Sequence, residues 1–259
     1  MTAATHPFLD HPGPLAFAHR GGGAENPENT YLAFEHAVNL GYRYLETDVH
    51  ATADGVVAVM HDPSLERMSD GGGNIAELTW AEVSAVRLPG DQAVPRLDEL
   101  LERWPEVRFN IDAKAPAVVE PLAAVLRRAN ALDRVCITSF SDRRVAALRR
   151  LLGPGLCTAM GPRGITALRM ASLLPHPNMA RAGWSGALAA QVPLRSGHIP
   201  IVERRFIDAA HRVGVGVHVW TIDDAPTMGR ILDLGVDGIM TDRPTMLKEV
   251  LVTRGAWVD

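Results

Sequence analysis

Cysteine, aromatic side chains and basic runs are all scarce in this 259-residue chain, and each shortage removes a class of explanation. The two cysteines, Cys136 and Cys157, stand alone in apolar segments with no C-x-x-C pair. That excludes a disulfide framework and a cysteine-built zinc site, and leaves two buried, reduced thiols. Aromatic residues make up 5% of the chain, and 26 Lys and Arg face 30 Asp and Glu for a formal net charge of −4. Nucleic acid and anionic membrane surfaces are therefore poor partners for it. No apolar run approaches the roughly 20 residues that span a bilayer, so no stable membrane insertion is expected. The opening stretch "MTAATHPFLDHPG" has neither a basic start nor an apolar run; it does not read as a secretion signal, and a soluble, cytoplasmic protein is the expectation. The glycines of "HRGGG" do not form G-x-G-x-x-G, so they are no dinucleotide fingerprint.

What is present is a regular alternation of short β-rich runs with amphipathic stretches, the pattern of a parallel sheet with crossover helices. The strand candidates are 15–20, 44–50, 108–114, 134–140, 156–161, 187–193, 216–222 and 238–242. The helix candidates are 30–40, 97–104, 117–131, 142–152, 165–173, 204–213, 225–234 and 245–252. Eight of each, in a chain near the usual length of about 250 residues, predicts an α/β fold: one (β/α)₈ barrel occupying 1–259 as a single domain. One stretch breaks the rhythm. After a short extra strand at 56–62, residues 63–95 form a small insertion following strand two. It contains "DGGGN" and a Thr79/Glu82 capping box, which predicts a loop with one short helix covering one end of the barrel.

In such a barrel the chemistry collects at the C-terminal ends of the strands. There the first strand ends in His19 and Arg20, the second carries Glu46 and Asp48, the extra strand ends in His61 and Asp62, the third carries Asp112 and Lys114, and the seventh ends at Trp220. Residues i and i+2 of a strand face the same way, so Glu46 pairs with Asp48 and Asp112 with Lys114. Buried charges need partners. A structural ion cluster is one account of them, but three carboxylates beside one lysine leave an excess of negative charge. A divalent cation removes it, and hard oxygen ligands without cysteine favour Mg²⁺ or Ca²⁺ over zinc.

The pieces "HRGGGAENPENTYLAFEHAVNLGY", "LETDVHATADGVVAVMHD", "NIDAK", "WTIDD" and "GVDGIMTDRP", in that order from residue 15 to 244, resemble the glycerophosphodiester phosphodiesterase family. The resemblance implies a TIM barrel like that of the phosphatidylinositol phosphodiesterases, and one divalent metal held by Glu46, Asp48 and Asp112. It also implies two catalytic histidines, His19 and His61, with Arg20 and Lys114 near the phosphate, and a small-molecule glycerophosphodiester as substrate. Position 112 departs from the family, where this acid is most often glutamate; the shorter aspartate draws its oxygens back by about one C–C bond, leaving room for a water in the metal shell.

Elementary chemistry agrees with that assignment. Phosphodiester hydrolysis needs positive charge at the phosphoryl oxygens, which Arg20, Lys114 and a cation supply. It needs a base and an acid, which two imidazoles titrating near neutrality supply. Either ring can take either role, and attack by the neighbouring glycerol hydroxyl, giving a cyclic phosphate first, is as open as attack by water. The glycines after Arg20 let backbone approach the phosphate. Trp220 reads as an apolar wall for the alcohol portion, and Asn29 as either a helix cap or a support for the site. Asp62 either orients His61 or starts a turn, and Asp242 supports the last loop. His50 lines a loop, His218 is a core histidine, and His6, His11, His36, His176, His198 and His211 have no constellation around them. A lysophospholipase D or phospholipase C-like lipid phosphodiesterase and a non-catalytic phospho-ligand binder are the competing readings.

Overall fold

Each predicted strand–helix unit forms, and together they close a barrel, in a computed structural model that describes residues 6–173 and 186–258. In chain order the strands are β1 (Leu15–Ala18), β2 (Tyr44–Ala51), β3 (Val57–Val59), β4 (Arg108–Ala113), β5 (Val135–Thr138), β6 (Cys157–Thr158), β7 (Ala189–Pro193), β8 (Arg195–Ser196), β9 (Ile199–Pro200), β10 (Gly216–Trp220) and β11 (Gly238–Thr241). The barrel order is β6-β5-β4-β2-β1-β11-β10-β7. A parallel Ala159–Ala189 bridge joins the two ends of that path, with Met160 N donating to Ala189 O at 2.8 Å and Leu188 N to Thr158 O at 2.9 Å. Strand β3 folds back antiparallel on β2, and β8 pairs with β9 in a separate hairpin.

The helices are α1 (Tyr31–Asn39), α2 (Trp80–Ala85), α3 (Leu97–Arg103), α4 (Val119–Arg128), α5 (Asp142–Leu152), α6 (Pro162–Ala171), α7 (Arg204–Arg212), α8 (Ala225–Asp233) and α9 (Pro244–Thr253). Side-chain oxygens of Thr30, Ser141 and Asp224 cap α1, α5 and α8, satisfying backbone N–H groups that have no partner inside the helix. Phe34, Leu100, Phe109, Leu122, Leu148 and Phe206 fill the layer between helices and sheet, all fully buried. Among the described residues, no helix is long and apolar enough to cross a membrane.

Several expected boundaries move inward. The first strand stops at Ala18, because Arg20 takes a left-handed φ of 52° and His19–Gly21 turns into a 3₁₀ helix. The strand expected over 156–161 keeps only two ladder residues, Cys157 and Thr158, and that over 134–140 ends at Thr138. His176 and residues 1–5 of the opening stretch lie outside the described residues.

Inside the barrel, Leu15, Phe17, Tyr44, Cys136, Cys157 and Met240 pack together. Cys136 and Cys157 face each other in register on β5 and β6 and are both free and buried. Phe8, on a 3₁₀ turn at Pro7–Leu9, plugs the N-terminal end and accepts the Tyr44 hydroxyl on its carbonyl at 2.8 Å. Above this apolar plug lies a polar layer. Asn110 and Gln191 exchange amide hydrogen bonds of 2.7 and 3.3 Å, and Gln191 Nε2 approaches His218 Nδ1 at 3.4 Å.

His218 is the buried core histidine expected from the sequence, and burial lowers its pKa to about 4. The unfolded chain therefore takes up a proton between about pH 6.5 and 4 that the folded chain refuses, and stability falls as pH drops through that window. The loss accumulates to about 3 kcal/mol at the acid end. Unfolding His218→Gln at a series of pH values is expected to show a shallower acid decline than the wild type; equal slopes would remove His218 from the account.

Within residues 63–95 the chain forms the short helix α2, whose Thr79/Glu82 capping box is made. Leu65, Ile75, Val83, Leu88 and Val94 of the insertion pack against Ala58 of β3 and the adjoining Met60 in one apolar cluster.

Candidate functional site

At the C-terminal end of β1 the chain must turn sharply between two helices. A Cβ on Gly21 would lie 2.8 Å from Ala33 Cβ, and one on Gly22 would lie 2.7 Å from Pro244 Cγ. These glycines thus allow the turn to pack against the first turns of α1 and α9. The turn presents His19 and Arg20. His19 Nδ1 meets Asp242 Oδ1 at 2.7 Å, and its Nε2 lies 3.7 Å from Glu46 Oε2. A carboxylate only accepts, so the neutral ring carries its proton on Nδ1 and leaves Nε2 as the basic nitrogen. Burial disfavours the charged ring, but Glu46 and then Asp242 outweigh it and hold His19 above its ordinary pKa.

Strand β2 is buried along its whole length and supplies two of the acids. Its register sets Glu46 opposite Asn110 and Asp48 opposite Asp112 on β4. Like charges directly opposed across strands repel, and the Lys114 ammonium sits between them, 2.8 Å from Asp48 Oδ1 and 2.7 Å from Asp112 Oδ2. Arg20 Nε adds a contact to Asp48 Oδ2 at 3.2 Å. Two cations thus face the acids where the sequence reading counted one lysine. Burial works against ionising Asp48, yet Lys114 and Arg20 prevail and hold it below the usual carboxylate range. Glu46 Oε2 accepts the Arg20 backbone N–H at 3.1 Å and lies 3.7 Å from His19 Nε2, but burial and then the Asp48 charge outweigh these and push Glu46 up to about 7. Asp112 is raised, by burial first.

Among the described residues, no three His, Cys, Asp or Glu side chains converge closely enough to hold an ion as they stand; the Lys114 ammonium lies between two of the three expected ligands. The donor set nevertheless fits a hard cation. The three carboxylates are all buried, burial and then the Asp48 charge hold Glu46 above the usual carboxylate range, and Asp112 Oδ1 is buried with no hydrogen-bond partner among the described residues. Oxygen donors of this kind suit Mg²⁺ or Ca²⁺.

His61 stands where β3 leads into the insertion. Its Nδ1 meets Asp62 Oδ1 at 2.6 Å, so Asp62 orients the ring instead of merely starting a turn. His50 lies behind it, Nε2 3.2 Å from the His61 carbonyl. Asn29 is buried, with Nδ2 donating to Asp48 Oδ2 at 3.0 Å and Oδ1 accepting from Thr47 Oγ1 at 2.8 Å. The cap of α1 is Thr30, so Asn29 serves the site. On the far side of the mouth Trp220 stacks edge-on with Phe140, centroids 5.9 Å apart, and Phe140 is 65% exposed.

His19, Arg20, Glu46, Asp48, Asp112 and Lys114 are thus one contiguous cluster, and His61 borders it. Trp220 belongs to the opposite wall. Sequence reasoning gave Asp242 only a loop-supporting role, and the parallel pairing of β1 with β11 is what delivers it to His19. It also missed Glu28, whose two oxygens each lie 3.1 Å from Arg20 Nη1, and Phe140, placed beyond a strand that ends earlier than expected. Among the other described histidines, His36 pairs with Glu25 at 2.8 Å and His211 with Asp237 at 2.7 Å.

Known proteins agree with this architecture. The model of the glycerophosphoryl diester phosphodiesterase family matches residues 19–246. A probable glycerophosphodiester phosphodiesterase 2 from Mycobacterium tuberculosis is 39% identical over 256 residues, covering 98% of this chain and 97% of that protein. A lysophospholipase D from Rattus norvegicus is 29% identical over 272 residues, covering 90% and 85%. The crystal structure of a putative glycerophosphoryl diester phosphodiesterase from Silicibacter pomeroyi matches with a TM-score of 0.81 at 24% identity, over 98% of this chain and all of the other, a likeness of fold. A match across nearly the whole barrel places this chain in the glycerophosphoryl diester phosphodiesterase family.

Proposed function

We propose that the protein hydrolyses glycerophosphodiesters to glycerol 3-phosphate and an alcohol, with His19 and His61 as its acid–base pair. The observation that carries this reading is the pairing of each ring's Nδ1 with a carboxylate, Asp242 or Asp62, beside a buried cluster of three acids. Each ring is thereby oriented with Nε2 as the nitrogen that exchanges a proton.

The family generally uses a divalent cation. In this reading Glu46, Asp48 and Asp112 hold one Mg²⁺ or Ca²⁺, which supplies positive charge to the phosphoryl oxygens. Arg20 and Lys114, at the edge of the same cluster, add to that charge as the phosphoryl group becomes more negative. One histidine removes the proton from the attacking hydroxyl, and the other delivers one to the departing alkoxide. Water as the attacking group gives the monoester directly; the adjacent glycerol hydroxyl gives a cyclic phosphate that a second round opens. Each displacement, one for water attack and two for the cyclic route, uses one such pair of proton transfers. Trp220 and Phe140 form the apolar wall for the alcohol portion.

Asp242 fixes the His19 tautomer, so Asp242→Asn is expected to lower kcat and, by removing a negative charge, to lower the His19 pKa. The limb of the pH–rate profile that reports His19 then moves toward acid. A profile that does not move would detach Asp242 from the ring's function.

Exposed Phe140 and the rat relative named lysophospholipase D favour a second reading, cleavage of lysophospholipids. Rates for glycerophosphocholine, glycerophosphoethanolamine and a lysophospholipid below its micellar threshold separate the two. We expect higher kcat/KM for the water-soluble diesters. A preference of about tenfold for the lysolipid, or about 1.4 kcal/mol of extra transition-state binding, would assign the acyl chain to the Phe140 wall. No turnover of any of them would leave a binding protein.

A further inference from the structure

Arg67 of the insertion reaches the mouth. Its Nε donates to Asp62 Oδ2, and its Nη2 donates to Glu28 Oε1 at 2.6 Å. Each carboxylate has a second partner: Asp62 Oδ1 holds His61 Nδ1 at 2.6 Å, and Glu28 holds Arg20 Nη1 at 3.1 Å. The result is a continuous chain of charges, His61–Asp62–Arg67–Glu28–Arg20, along one side of the mouth.

We infer that Arg67 is a positioning residue that sets the orientation of His61 through Asp62 and of Arg20 through Glu28, making the insertion part of the catalytic apparatus as well as a cover. This rests on the reading of His61 and Arg20 given above. Isolated exposed ion pairs contribute little, and Arg67 is 46% exposed. Two features set this arm apart. The guanidinium is a planar fork whose separate edges address two carboxylates at once, which an ammonium cannot do with the same geometry. The backbone that carries it is also fixed. Leu65, two residues earlier, is fully buried in the apolar cluster that joins the insertion to β3, its N–H donates to the Gly73 carbonyl at 3.1 Å, and its carbonyl accepts the Ser69 hydroxyl at 2.8 Å. Arg67 thus projects from a packed base. Asp62 is held down at about 2, by the Arg67 contact first and, against burial, by His61 as well, so it remains an anionic partner for the ring at any working pH. A side chain that only solvated the lid would have no reason to bridge the partners of two site residues.

The test uses the full chain and the variants Arg67→Ala, Arg67→Lys and Asp62→Ala. With glycerophosphocholine as substrate, Arg67→Ala is expected to lose about tenfold or more in kcat, the scale of outer-shell partners. Its unfolding temperature should stay close to wild type. Lysine restores the charge without the fork and recovers only a minor part. Adding Arg67→Ala to Asp62→Ala costs less than it does alone, because the His61 branch is already lost and only the Glu28–Arg20 branch remains to be broken. An independent readout is the ¹⁵N NMR signature of the His61 ring, in which wild type shows the Nδ1–H tautomer and Arg67→Ala a mixture. An unchanged ring spectrum, or an alanine variant with kcat near wild type, overturns the inference. A wild type inactive on every diester but with a ring spectrum that responds to Arg67 would retire the proposed reaction and leave the positioning role standing.

Discussion

His19→Ala and His61→Ala are each expected to lose about 10²- to 10⁴-fold in kcat, the contribution of one general acid or base. The geometry makes the loss specific to chemistry. Each ring is anchored through Nδ1 to its own carboxylate, at 2.7 Å for His19 and 2.6 Å for His61. Truncation therefore removes the proton-exchanging Nε2 and leaves Asp242 and Asp62 near their other partners. Asp242 keeps its backbone N–H bond to Asp223 Oδ1 at 2.7 Å, and Asp62 keeps Arg67. Both rings stand at the mouth, outside the apolar layers that hold the barrel together, so unfolding temperatures should move little. Steady-state kinetics with glycerophosphocholine decide the matter. A variant retaining more than about a tenth of wild-type kcat would show that its ring is neither acid nor base.

The barrel was legible because its signal is distributed: eight apolar runs, each followed by an amphipathic stretch, point to the same parallel order whatever happens at any one end. The ends themselves depend on single residues. Arg20 at φ 52° and Gly21 at φ 82° stop β1 two residues short, and nothing in the hydrophobic pattern distinguishes a strand residue from one in a 3₁₀ turn. Short β6 illustrates the reverse case, since an apolar run over 156–161 satisfies either a ladder or a buried loop. Local spacing was enough to set Glu46 and Asp48 on one face and Asp112 and Lys114 on another, because strand alternation is a two-residue rule. Contacts between distant segments were not legible in the same way. Asp242 reaches His19 only after β11 pairs with β1, across 223 residues of sequence, and Arg67 meets Glu28 only after the insertion packs against β3. The charge count went astray for the same reason. Arg20 follows a strand end and has no alternation to place it, yet the left-handed turn swings it onto Asp48, where it joins Lys114 as a second cation.

Exhaustive chelation is expected to lower turnover by about 10³-fold or more, the several kcal/mol that a cation's charge contributes to a phosphoryl transition state. The carboxylate cluster explains why two protein cations do not substitute for it. Lys114 and Arg20 both favour Asp48, and Lys114 also contacts Asp112, so Glu46 stays poised at about 7 by burial and the Asp48 charge. A divalent ion meeting all three acids favours their ionised forms, and that gives the prediction a sign in pH. Near neutrality part of the Glu46 population is protonated; binding must expel that proton, so affinity for Mg²⁺ or Ca²⁺ should rise as pH increases through about 7 and binding should release protons. Calorimetric titration in two buffers of different ionisation enthalpy measures the release. The same ion should raise the unfolding temperature in a concentration-dependent way, and Asp48→Asn should abolish that rise, since Asp48 shares β2 with Glu46 and lies opposite Asp112 on β4, so that its loss removes the acid between the other two. Full activity after chelation, or stabilisation that persists in Asp48→Asn, would place any cation elsewhere and return Glu46, Asp48 and Asp112 to a structural ion cluster closed by Lys114.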